Sequence, residues 1–436
     1  MTGRGTASNI AITTVANAVL PLSALVTAPF LAYGLGVDGR GELAAAIAPL
    51  TLAITIAPMG FPDAATYFVA RSHRLRLRLR AFSVLSIVMV GLVITAVILL
   101  LAPVLAAGDQ HLAGLIRVGS LILVPALIVG FIRGVAAGHQ AWKLIALDRA
   151  LSGSARLIGI VVLFTIGALD PMSATVVMAS SYALGGLAYS GLRRQVLTEL
   201  NEDAADVRMD EFLRYAGFVW FGALSGFLLT RVDQLLMTPL SDVRQLGYYA
   251  VAANLAETIL IFNSAVRDVT FATEAGGRDS ERLTQLARIS TLFTMAAGTV
   301  IAATSPLVVP LLFGRDFSPA IPLVLILVAA IVIGNPGSVA GSGLAARGRP
   351  GLRSATLALA CVANIVLLVL LLPSLGAIGA AIATLAGSAL AGFLNTFWLA
   401  RHFGFRSRDF YFFRRSDFTM LLSGIRSGRP RLRRMS

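Results

Sequence analysis

Long apolar stretches alternate with short polar connections along the whole chain. A helix needs about 20 mostly apolar residues to cross a bilayer. Twelve stretches, numbered here as segments 1 to 12, satisfy this requirement: 9–33, 43–70, 81–106, 113–136, 150–168, 172–192, 212–237, 247–268, 289–313, 319–338, 352–373 and 377–400. The pattern predicts an all-α integral membrane protein with about 12 transmembrane helices.

The basic residues are concentrated in every second connection. Cytoplasmic loops of membrane proteins collect Arg and Lys. The connection after segment 2 has Arg at positions 71, 74, 76, 78 and 80, and the connections after segments 4, 6, 8 and 10 are also basic. Connections after odd-numbered segments carry few cations, such as Arg40 beside Asp38 and Glu42. This alternation predicts that both termini lie in the cytoplasm.

Composition and charge agree with a membrane protein and exclude a soluble one. The 436 residues are 57% hydrophobic with a mean hydropathy of +0.81, whereas soluble domains are about 45–50% apolar. The net charge of +14 would suggest nucleic-acid binding in a soluble protein. Here the cations flank apolar helices, so we expect them to contact anionic lipids rather than nucleic acid. Cys361 is the only cysteine, which excludes an internal disulfide and a Cys/His metal cluster.

The two halves of the chain resemble one another across a charged link at residues 193–214. Asp38-Gly-Arg-Gly41 runs into segment 2, and Asp242-Val-Arg-Gln-Leu-Gly247 runs into segment 8. Ala102-Pro-Val-Leu105 and Val309-Pro-Leu-Leu312 are related in the same way. Six helices per half would give both halves the same orientation. We therefore expect two six-helix lobes, residues 1–200 and 201–400, related by a pseudo-two-fold axis along the membrane normal, with rocking-type alternating access.

The residues after the second lobe have a different composition. Residues 401–436 combine phenylalanines with many arginines. This composition is typical of an interfacial segment on an anionic leaflet. We predict a basic aromatic cytoplasmic tail, and a disordered basic tail is the alternative beyond Gly428.

Segment 8 carries a stripe of polar residues. Asn254, Glu257, Ile261, Ser264 and Asp268 are spaced by three or four positions and therefore share one helix face. Glu257 lies about ten residues, or roughly 15 Å, from the end of the segment, near the bilayer midplane. Ionisable groups inside spans are costly and are candidates for function. The alternative is a stripe that only joins helices through hydrogen bonds.

Segment 2 contains a second candidate, Asp63. Pro58 and Pro62 bracket Gly60 and predict a broken helix next to this carboxylate, since broken helices are tolerated where they line a cavity. A plain proline kink with Asp63 near the inner interface is the alternative.

Further candidates lie in segments 7, 5 and 1. Arg231 and Asp233 are two positions apart in segment 7, so they cannot form an ion pair on one helix face. Arg231 suits phosphate recognition, or it extends to the headgroups. Arg156 of segment 5 lies deep enough to bind a ligand phosphate, and Asn17 lies in a proline-containing segment 1. Arg117, Arg133 and Arg149 are interpreted as interfacial.

Three stretches of the chain carry a resemblance to a known family. They are Gly34-Leu-Gly-Val-Asp-Gly-Arg-Gly41, the run from Arg231 through Leu246-Gly-Tyr-Tyr249 to Asn254, and Leu312-Phe-Gly-Arg-Asp-Phe317. In their order and positions they resemble the bacterial oligosaccharide-lipid flippases. These are the Wzx-like polysaccharide biosynthesis branch of the multidrug/oligosaccharidyl-lipid/polysaccharide (MOP) exporter superfamily.

The resemblance implies a MATE-like fold of two lobes around a central cavity lined by helices 1, 2, 7 and 8. This would place the following residues on the cavity wall: Asn17, Asp63, Arg231, Asp233, Asn254 and Glu257. The implied cargo is a polyprenyl-(pyro)phosphate-linked oligosaccharide that moves from the inner to the outer leaflet of the bacterial plasma membrane. The implied coupling ion is H⁺ or Na⁺, with no other cofactor, and glycan polymerases and glycosyltransferases are the implied partners.

Four alternatives are weighed against this interpretation. A drug or cation antiporter of the same superfamily would need carboxylates more than arginines. Lipid II flippases resemble the chain too, but they carry two additional C-terminal helices where this chain has a basic tail. A major facilitator would have a Gly…Asp-Arg-x-Gly-Arg-Arg signature after helix 2, which residues 71–80 lack. A membrane glycosyltransferase or polymerase would need a sizeable loop for its active site, so we expect a transporter rather than an enzyme.

Overall fold

The computed structural model describes residues 3–72, 77–190, 208–276 and 280–411, which are almost entirely helical and contain no strand. The helices are α1 Gly3–Ile56, α2 Phe61–Ser72, α3 Leu77–Leu105, α4 Gln110–Ser120, α5 Leu123–Gly138, α6 Trp142–Thr165, α7 Pro171–Leu184, α8 Met209–Leu240, α9 Val243–Gly276, α10 Ser280–Phe313, α11 Ala320–Ala346, α12 Pro350–Phe403 and α13 Arg408–Tyr411. The all-α prediction is confirmed for these residues.

Two of the helices, α1 and α12, are too long to be straight spans. Each has 54 residues, and a straight helix of that length would extend about 80 Å. Each has one glycine with positive φ in its interior, Gly36 at 66° and Gly376 at 53°. The α12 chain folds back at this glycine, and residues on the two sides of the bend are in contact. A Cβ on Gly387 would lie 3.1 Å from Cβ of Asn364, which is 23 positions earlier. Glycine adopts such positive φ without the steric cost that a side chain adds.

The break between α1 and α2 is the one that the prolines of segment 2 predict. The chain leaves the helix after Ile56 and re-enters it at Phe61, with Met59 and Gly60 at positive φ of 49° and 73°. A proline removes a backbone donor and clashes with the preceding turn. The indole Nε1–H of Trp220 donates instead to the Ile56 carbonyl oxygen, at 2.7 Å.

Six helices of the described residues are long and apolar enough to cross a membrane. The number becomes seven if the bent pair Met209–Phe221 and Leu224–Leu240 of α8 counts as one span. Helices α6 and α9 fall outside this set and carry polar and charged side chains, among them Arg156 and Glu257. The helices have the lengths and composition of a multi-pass membrane protein, and the twelve crossings in two lobes stay a prediction.

Helix α1 occupies the centre of the packing. It contacts α4, α6 and α7 from the first half of the chain and α8 and α9 from the second half. Small residues allow the backbones to approach closely, since a Cβ on Gly41 would lie 2.0 Å from the Val243 carbonyl oxygen. A Cβ on Gly247 would likewise lie 2.3 Å from the Val37 carbonyl oxygen. We call these four residues the glycine contact, which joins the bend of α1 to the start of α9.

A second contact between the halves lies beyond the other end of α1, where α2 packs on α8. The rings of Tyr67 and Tyr215 stack with centroids 4.4 Å apart. Phe212 packs between Phe61 and Phe68, with both centroid distances at 5.8 Å. We call these five residues the aromatic contact. The two halves therefore touch at the bend of α1 and again beyond its C-terminal end.

The beginning of the predicted tail packs against helices. α12 ends at Gly404, which has a left-handed conformation, and Phe410 is fully buried beside residues of α10 and α12. The Arg347 guanidinium lies 4.6 Å from the centroid of the Phe405 ring, and Arg288 donates to the Asp409 carbonyl at 2.9 Å. This part of the tail is bound to the protein rather than to lipid, and the rest of the tail, 412–436, lies outside the described residues.

The connection before α7 is stabilised by a capping box. The Ser173 amide donates to the Asp170 carboxylate at 2.6 Å, and the Asp170 amide donates to the Ser173 hydroxyl at 3.0 Å. These two bonds satisfy amide groups that the first turn of a helix leaves free. The amide hydrogen bond lowers the pKa of the Asp170 carboxyl, because it favours the charged form.

Candidate functional site

The structure brings two of the predicted site residues into a direct ion pair. A guanidinium nitrogen of Arg231 in α8 lies 2.8 Å from a carboxylate oxygen of Glu257 in α9. The two side chains are 34% and 33% exposed. The pair is therefore accessible from one side. A charged ligand could compete for either partner without a rearrangement of the core.

Asp233 has different partners from Arg231, although it lies only two positions away. Its carboxylate accepts hydrogen bonds from the hydroxyl of Tyr249 in α9 and from the hydroxyl of Thr384 in α12, the latter at 3.3 Å. The Gln234 backbone N–H donates to the Asp233 carboxylate at 2.7 Å, and Asp233 is only 3% exposed. Positions i and i+2 lie on different faces of a helix, so the charged side chains of Arg231 and Asp233 have different surroundings.

A cavity of about 340 Å³ lies among α8, α9, α11 and α12. Asp233 and Glu257 line it, together with the amides of Asn263, Asn335 and Asn395. Arg267 and Arg353 also line it. A cavity with carboxylates, amides and guanidinium groups can bind hydroxyl-rich or charged ligands, which an apolar helix interior cannot.

Sequence reasoning missed a group of buried polar atoms on α12. Asn364 is 0% exposed, and neither atom of its side-chain amide has a hydrogen-bond partner in the part of the chain that the structure describes. The same holds for the side-chain oxygens of Asn395 and Thr356. Buried polar groups are normally hydrogen-bonded, so such groups call for water or a ligand. An asparagine inside apolar segment 11 was the available signal.

Arg156 lies near the Arg231–Glu257 pair through a shared neighbour. Tyr182 of α7 is within electrostatic range of both Arg156 and Arg231. The Nε of Arg156 is buried and has no hydrogen-bond partner among the described residues. Arg156 and Arg231 therefore share Tyr182 as an electrostatic neighbour, and one donor of Arg156 is unsatisfied among the described residues.

The other predicted residues lie apart from this pair. Asp63 is exposed in the first turn of α2, within electrostatic range of Tyr215 at the aromatic contact. Asn254 is half-buried in α9 and is not among the residues that line the cavity. Asn17 belongs to α1, and its side chain lies outside the described residues, as do those of Ser264 and Asp268.

Arg133, whose side chain is 33% exposed, forms an ion pair with the fully buried carboxylate of Asp148. It contacts Asp148 at 2.6 and 3.2 Å, and the Tyr189 hydroxyl donates to the same carboxylate at 2.9 Å. Asp148 is 0% exposed. A Cβ on Gly185 would lie 1.9 Å from an Asp148 carboxylate oxygen, so a glycine makes room for the pair. In the sequence, the signal for this ion pair was Asp148, the acidic residue next to Arg149.

The carboxylates of the described residues do not form a multi-ligand metal centre. No group of three or more His, Cys, Asp or Glu side chains that could hold a metal ion occurs among them. The oxygen atoms that are close together come from one carboxylate and two hydroxyl groups, those of Asp233, Tyr249 and Thr384. Hydroxyl and carboxylate oxygens are ligands for hard monovalent or divalent cations and can also exchange a proton.

Comparison with known proteins identifies relatives of this fold. The chain is similar to the lipid II flippase MurJ in an inward closed conformation, with 13% identity, a TM-score of 0.74 and coverage of 94% of this chain and 91% of that chain. An inward-facing multidrug resistance MATE family transporter of the MOP superfamily gives 14% identity, a TM-score of 0.65 and coverage of 88% and 97%. The MATE multidrug transporter DinF-BH has 14% identity and a TM-score of 0.63, with coverage of 93% of this chain and 96% of that chain.

Sequence comparison gives the family. No curated protein matches the chain at a significant level. Residues 6–273 match the model of a family described as polysaccharide biosynthesis protein, and this range covers more than half of the 436 residues. The structural neighbours, at 13–14% identity, show that the chain shares their fold. The chain therefore belongs to the polysaccharide biosynthesis protein family and has the fold of MOP superfamily transporters.

Proposed function

We propose that the protein is a flippase for a polyprenyl-(pyro)phosphate-linked oligosaccharide used in cell-surface polysaccharide synthesis. The observation that carries this proposal is the accessible Arg231–Glu257 pair beside a cavity of mixed charge. It offers a cation for phosphate and amides for sugars in one region of an otherwise apolar molecule. The family and the flippase and exporter folds of the neighbours support the same conclusion.

In this proposal the Arg231 guanidinium exchanges the Glu257 carboxylate for a phosphate group of the cargo. Its planar guanidinium forms paired hydrogen bonds to phosphate oxygens. The pair with Glu257 keeps the guanidinium neutralised when no cargo is present, because a charge left alone in such a place is strongly destabilising. Arrival of a phosphate releases Glu257 toward the sugar hydroxyls. The polyprenyl tail stays in the bilayer, so no covalent bond is made or broken and the protein is a transporter rather than an enzyme.

We assign the coupling ion, H⁺ or Na⁺, to Asp233. Its carboxylate joins three helices, because its partners Tyr249 and Thr384 belong to α9 and α12. Binding of a proton or cation would change these hydrogen bonds and thereby the packing of α8 against its neighbours. The Asn364 amide, which lies next to Gly387 one turn beyond Thr384, would supply a further oxygen for a cation.

The proposal includes the larger arrangement that the sequence predicts. Two six-helix lobes would rock about the central region in the bacterial plasma membrane, with both termini in the cytoplasm. Asp63, Asn17 and Asn254 would line the path on the α1, α2 and α9 side. Glycosyltransferases would supply the cargo on the inner leaflet, and a glycan polymerase would use it on the outer leaflet.

A drug or cation antiporter is the second candidate function. The buried Asp233 carboxylate favours it, since carboxylates bind organic cations as well as coupling ions, and the MATE neighbours are named as multidrug transporters. Arg156 and Arg231 in the same region oppose it, because they would repel a cationic substrate. A lipid II flippase is a third possibility that differs only in cargo.

The decisive experiment follows lipid intermediates in cells depleted of the protein. Mass spectrometry of lipid extracts, combined with leaflet labelling by a membrane-impermeant reagent, should reveal a polyprenyl-linked oligosaccharide on the inner leaflet. Surface glycan should be lost, and the wild-type gene should restore both. An unchanged lipid profile with normal surface glycan, together with increased sensitivity to cationic drugs, would support the antiporter instead. Accumulation of lipid II alone would reassign the cargo.

A further inference from the structure

The last described residues of the chain pack into a socket formed by four helices. Phe410 of α13 is fully buried in one hydrophobic cluster with side chains of α9, α10, α11 and α12. The socket includes Val266, Leu283, Ala287, Val339, Leu344 and Leu399. We call residues 404–411 the strap. Through one aromatic ring, the strap joins the ends of four helices in the second half of the chain.

Two buried arginines hold the strap on either side of this ring. The Arg288 guanidinium donates to the Asp409 carbonyl at 2.9 Å. The Arg347 guanidinium lies 4.6 Å from the ring centroid of Phe405 and 5.4 Å from that of Phe403, which is the geometry of a cation–π contact. Hydrogen bonds to protein are exchanged for hydrogen bonds to water when such a contact opens. Departure of the strap would therefore expose the two guanidinium groups to water rather than leave them buried alone.

The strap begins at a hinge. Gly404 has a φ of 71° and ends α12, a conformation that glycine adopts without steric cost. A Cβ on Gly404 would meet no atom within 4 Å in the described part of the chain. Beyond the hinge, Arg406 and Arg408 are exposed, whereas the rings of Phe405 and Phe410 face the protein with centroids 5.7 Å apart. The hinge lies in open space, so the strap can swing away without displacing α12.

The socket lies against one end of the cavity in the second half. Three residues that line the cavity are on the same helices as three socket residues and at most four positions away: Arg267 beside Val266, Ser338 beside Val339, and Asn395 one turn before Leu399. The Arg267 guanidinium donates to the Ser338 hydroxyl at 3.4 Å. Thr384, a partner of Asp233, lines the cavity eleven positions before Asn395, which is roughly 16 Å along α12. The cavity therefore has an Asp233 end and an Arg267 end, and the strap lies at the Arg267 end.

The helices are closely packed at the level of the strap. A Cβ on Gly341 would lie 2.9 Å from the amide nitrogen of Asn395, and a Cβ on Gly343 would lie 2.7 Å from a methyl group of Leu283. Small residues allow this approach of α11 to α12 and to α10. The cavity ends where these helices converge. The strap crosses the same level and binds the ends of all four helices, so it opposes their separation.

We propose that residues 404–411 are a detachable strap that keeps the Arg267 end of the cavity closed, and that undocking of Phe410 opens this end to water. The role of this opening in transport rests on the proposed function, in which Asp233 binds the coupling ion. A docked strap then keeps the ion from reaching Asp233 through the Arg267 end. The strap is a regulatory contact that the chain supplies for its own cavity.

Cysteine labelling of the purified full chain tests the strap. Ser388 lines the cavity between its two ends, so Ser388→Cys in a Cys361→Ser background reports access to the cavity through its rate of reaction with N-ethylmaleimide. Phe410→Ala should raise this rate by about tenfold or more, because the population of the open state follows the free energy of the contacts that are lost. Tyr411→Ala is the matched control. It removes the exposed aromatic neighbour on the same short helix and should leave the rate unchanged.

A second reporter separates opening of the cavity from general loosening of the protein. Ser120 is buried in the first half of the chain, and Ser120→Cys should react equally slowly with every strap variant. Equal labelling of position 388 in Phe410→Ala and Tyr411→Ala overturns the strap, and so does a rise at both reporters. Should Phe410→Ala fail to fold, Phe405→Ala carries the same test, because the half-buried Phe405 ring contacts both Arg347 and Phe410.

Failure of the strap and failure of the flippase proposal give different results, because the labelling measurement requires no transport. If depleted cells accumulate the lipid intermediate while labelling of position 388 is the same in all variants, only the strap is wrong. If Phe410→Ala accelerates labelling at position 388 alone and depleted cells accumulate no lipid intermediate, the strap stands and it controls the cavity of a transporter with a different cargo.

Discussion

Arg231 and Asp233 illustrate how position on a helix separates the roles of two charges. Arg231 forms a half-exposed ion pair with Glu257, whereas Asp233 is buried among hydroxyl groups. An accessible pair can exchange its partner for a ligand at low cost. A buried carboxylate with three donors is suited to exchange of a proton or a small cation, because either one can alter its hydrogen bonds. Under the proposed function, the accessible pair would bind the cargo and the buried carboxylate would bind the coupling ion.

Removal of either charge of the accessible pair should stop transport. We expect Glu257→Gln and Arg231→Ala each to abolish glycan export, because each leaves the other charge without its partner and removes a ligand group. Surface glycan is measured in depleted cells that express the variant, and immunoblotting of membranes confirms normal insertion. The exposed Arg315→Ala is the control. Normal export by both variants would show that the pair does not contact the cargo.

The Arg133–Asp148 pair should matter for stability instead. Asp148→Asn removes the charge of a fully buried carboxylate that accepts from Arg133 and Tyr189, and the loss of such a buried acceptor costs about 1–3 kcal/mol. We expect a marked fall in the melting temperature of the purified protein. Asp210→Asn is the control, since the Asp210–Arg208 pair is exposed and solvent screens it. Equal melting temperatures for the two variants would show that the buried pair contributes nothing beyond a surface pair.

At the scale of elements, glycines decide where helices bend and where they touch. Gly36 and Gly376 allow two long helices to turn. Gly41 and Gly247 allow α1 and α9 to approach until backbone atoms meet. Close approach of small residues is a common way to join helices in membranes, where the hydrophobic effect between helices is absent. The contact between the halves at the bend of α1 therefore depends on the absence of side chains.

A single methyl group at this contact should separate the two helices. In Gly41→Ala the new Cβ would lie 2.0 Å from the Val243 carbonyl oxygen, a distance that requires the backbones to move apart. We expect a cysteine at position 37 to react faster with a membrane-impermeant maleimide in this variant. Both proteins carry Cys361→Ser so that the introduced cysteine is the reactive one.

The matched control is Gly130→Ala. A Cβ at Gly130 meets no atom within 4 Å in the described structure, and alanine favours helix formation over glycine by about 1 kcal/mol. The labelling rate of position 37 should stay unchanged in this background. Equal rates in Gly41→Ala and Gly130→Ala would mean that the glycine contact does not hold α1 and α9 together.

At the scale of the molecule, the two halves meet at the glycine contact and at the aromatic contact at the same time. Under the proposed function, a path for cargo between the halves would require one of these contacts to open. Stacked and edge-to-face rings contribute about 0.5–1.5 kcal/mol per pair, so the aromatic contact can open without unfolding the helices. In the proposed alternating access, one contact would open while the other stays closed.

Covalent closure of the aromatic contact should stop transport. Cysteines that replace Tyr67 and Tyr215, whose rings stack at 4.4 Å, should be joined by a short bismaleimide in a Cys361→Ser background. We expect glycan export to fall in proportion to the cross-linked fraction, because cargo can no longer enter between α2 and α8. The two single-cysteine variants treated with the same reagent are the controls. Full export by the cross-linked protein would show that this contact stays closed during transport.

The sequence by itself determined the all-α class, the break at Pro58 and Pro62, the charged candidates and the family resemblance. Apolar runs and helix-breaking residues act locally, so a short stretch of sequence is enough to predict them. It also predicted that Arg231 and Asp233 would have different surroundings, since the period of the helix is a local property. The arrangement in two lobes and the twelve crossings stay predictions.

Only the tertiary structure decided which charges have partners. Glu257 meets Arg231 and Asp148 meets Arg133 across helices, and Arg40 is left without its sequence neighbours Asp38 and Glu42. Contacts between helices depend on how each is rotated and bent against the others, and no local pattern fixes that rotation. Charge composition can be counted along a chain, but neutralisation depends on distances that exist only after the helices have packed.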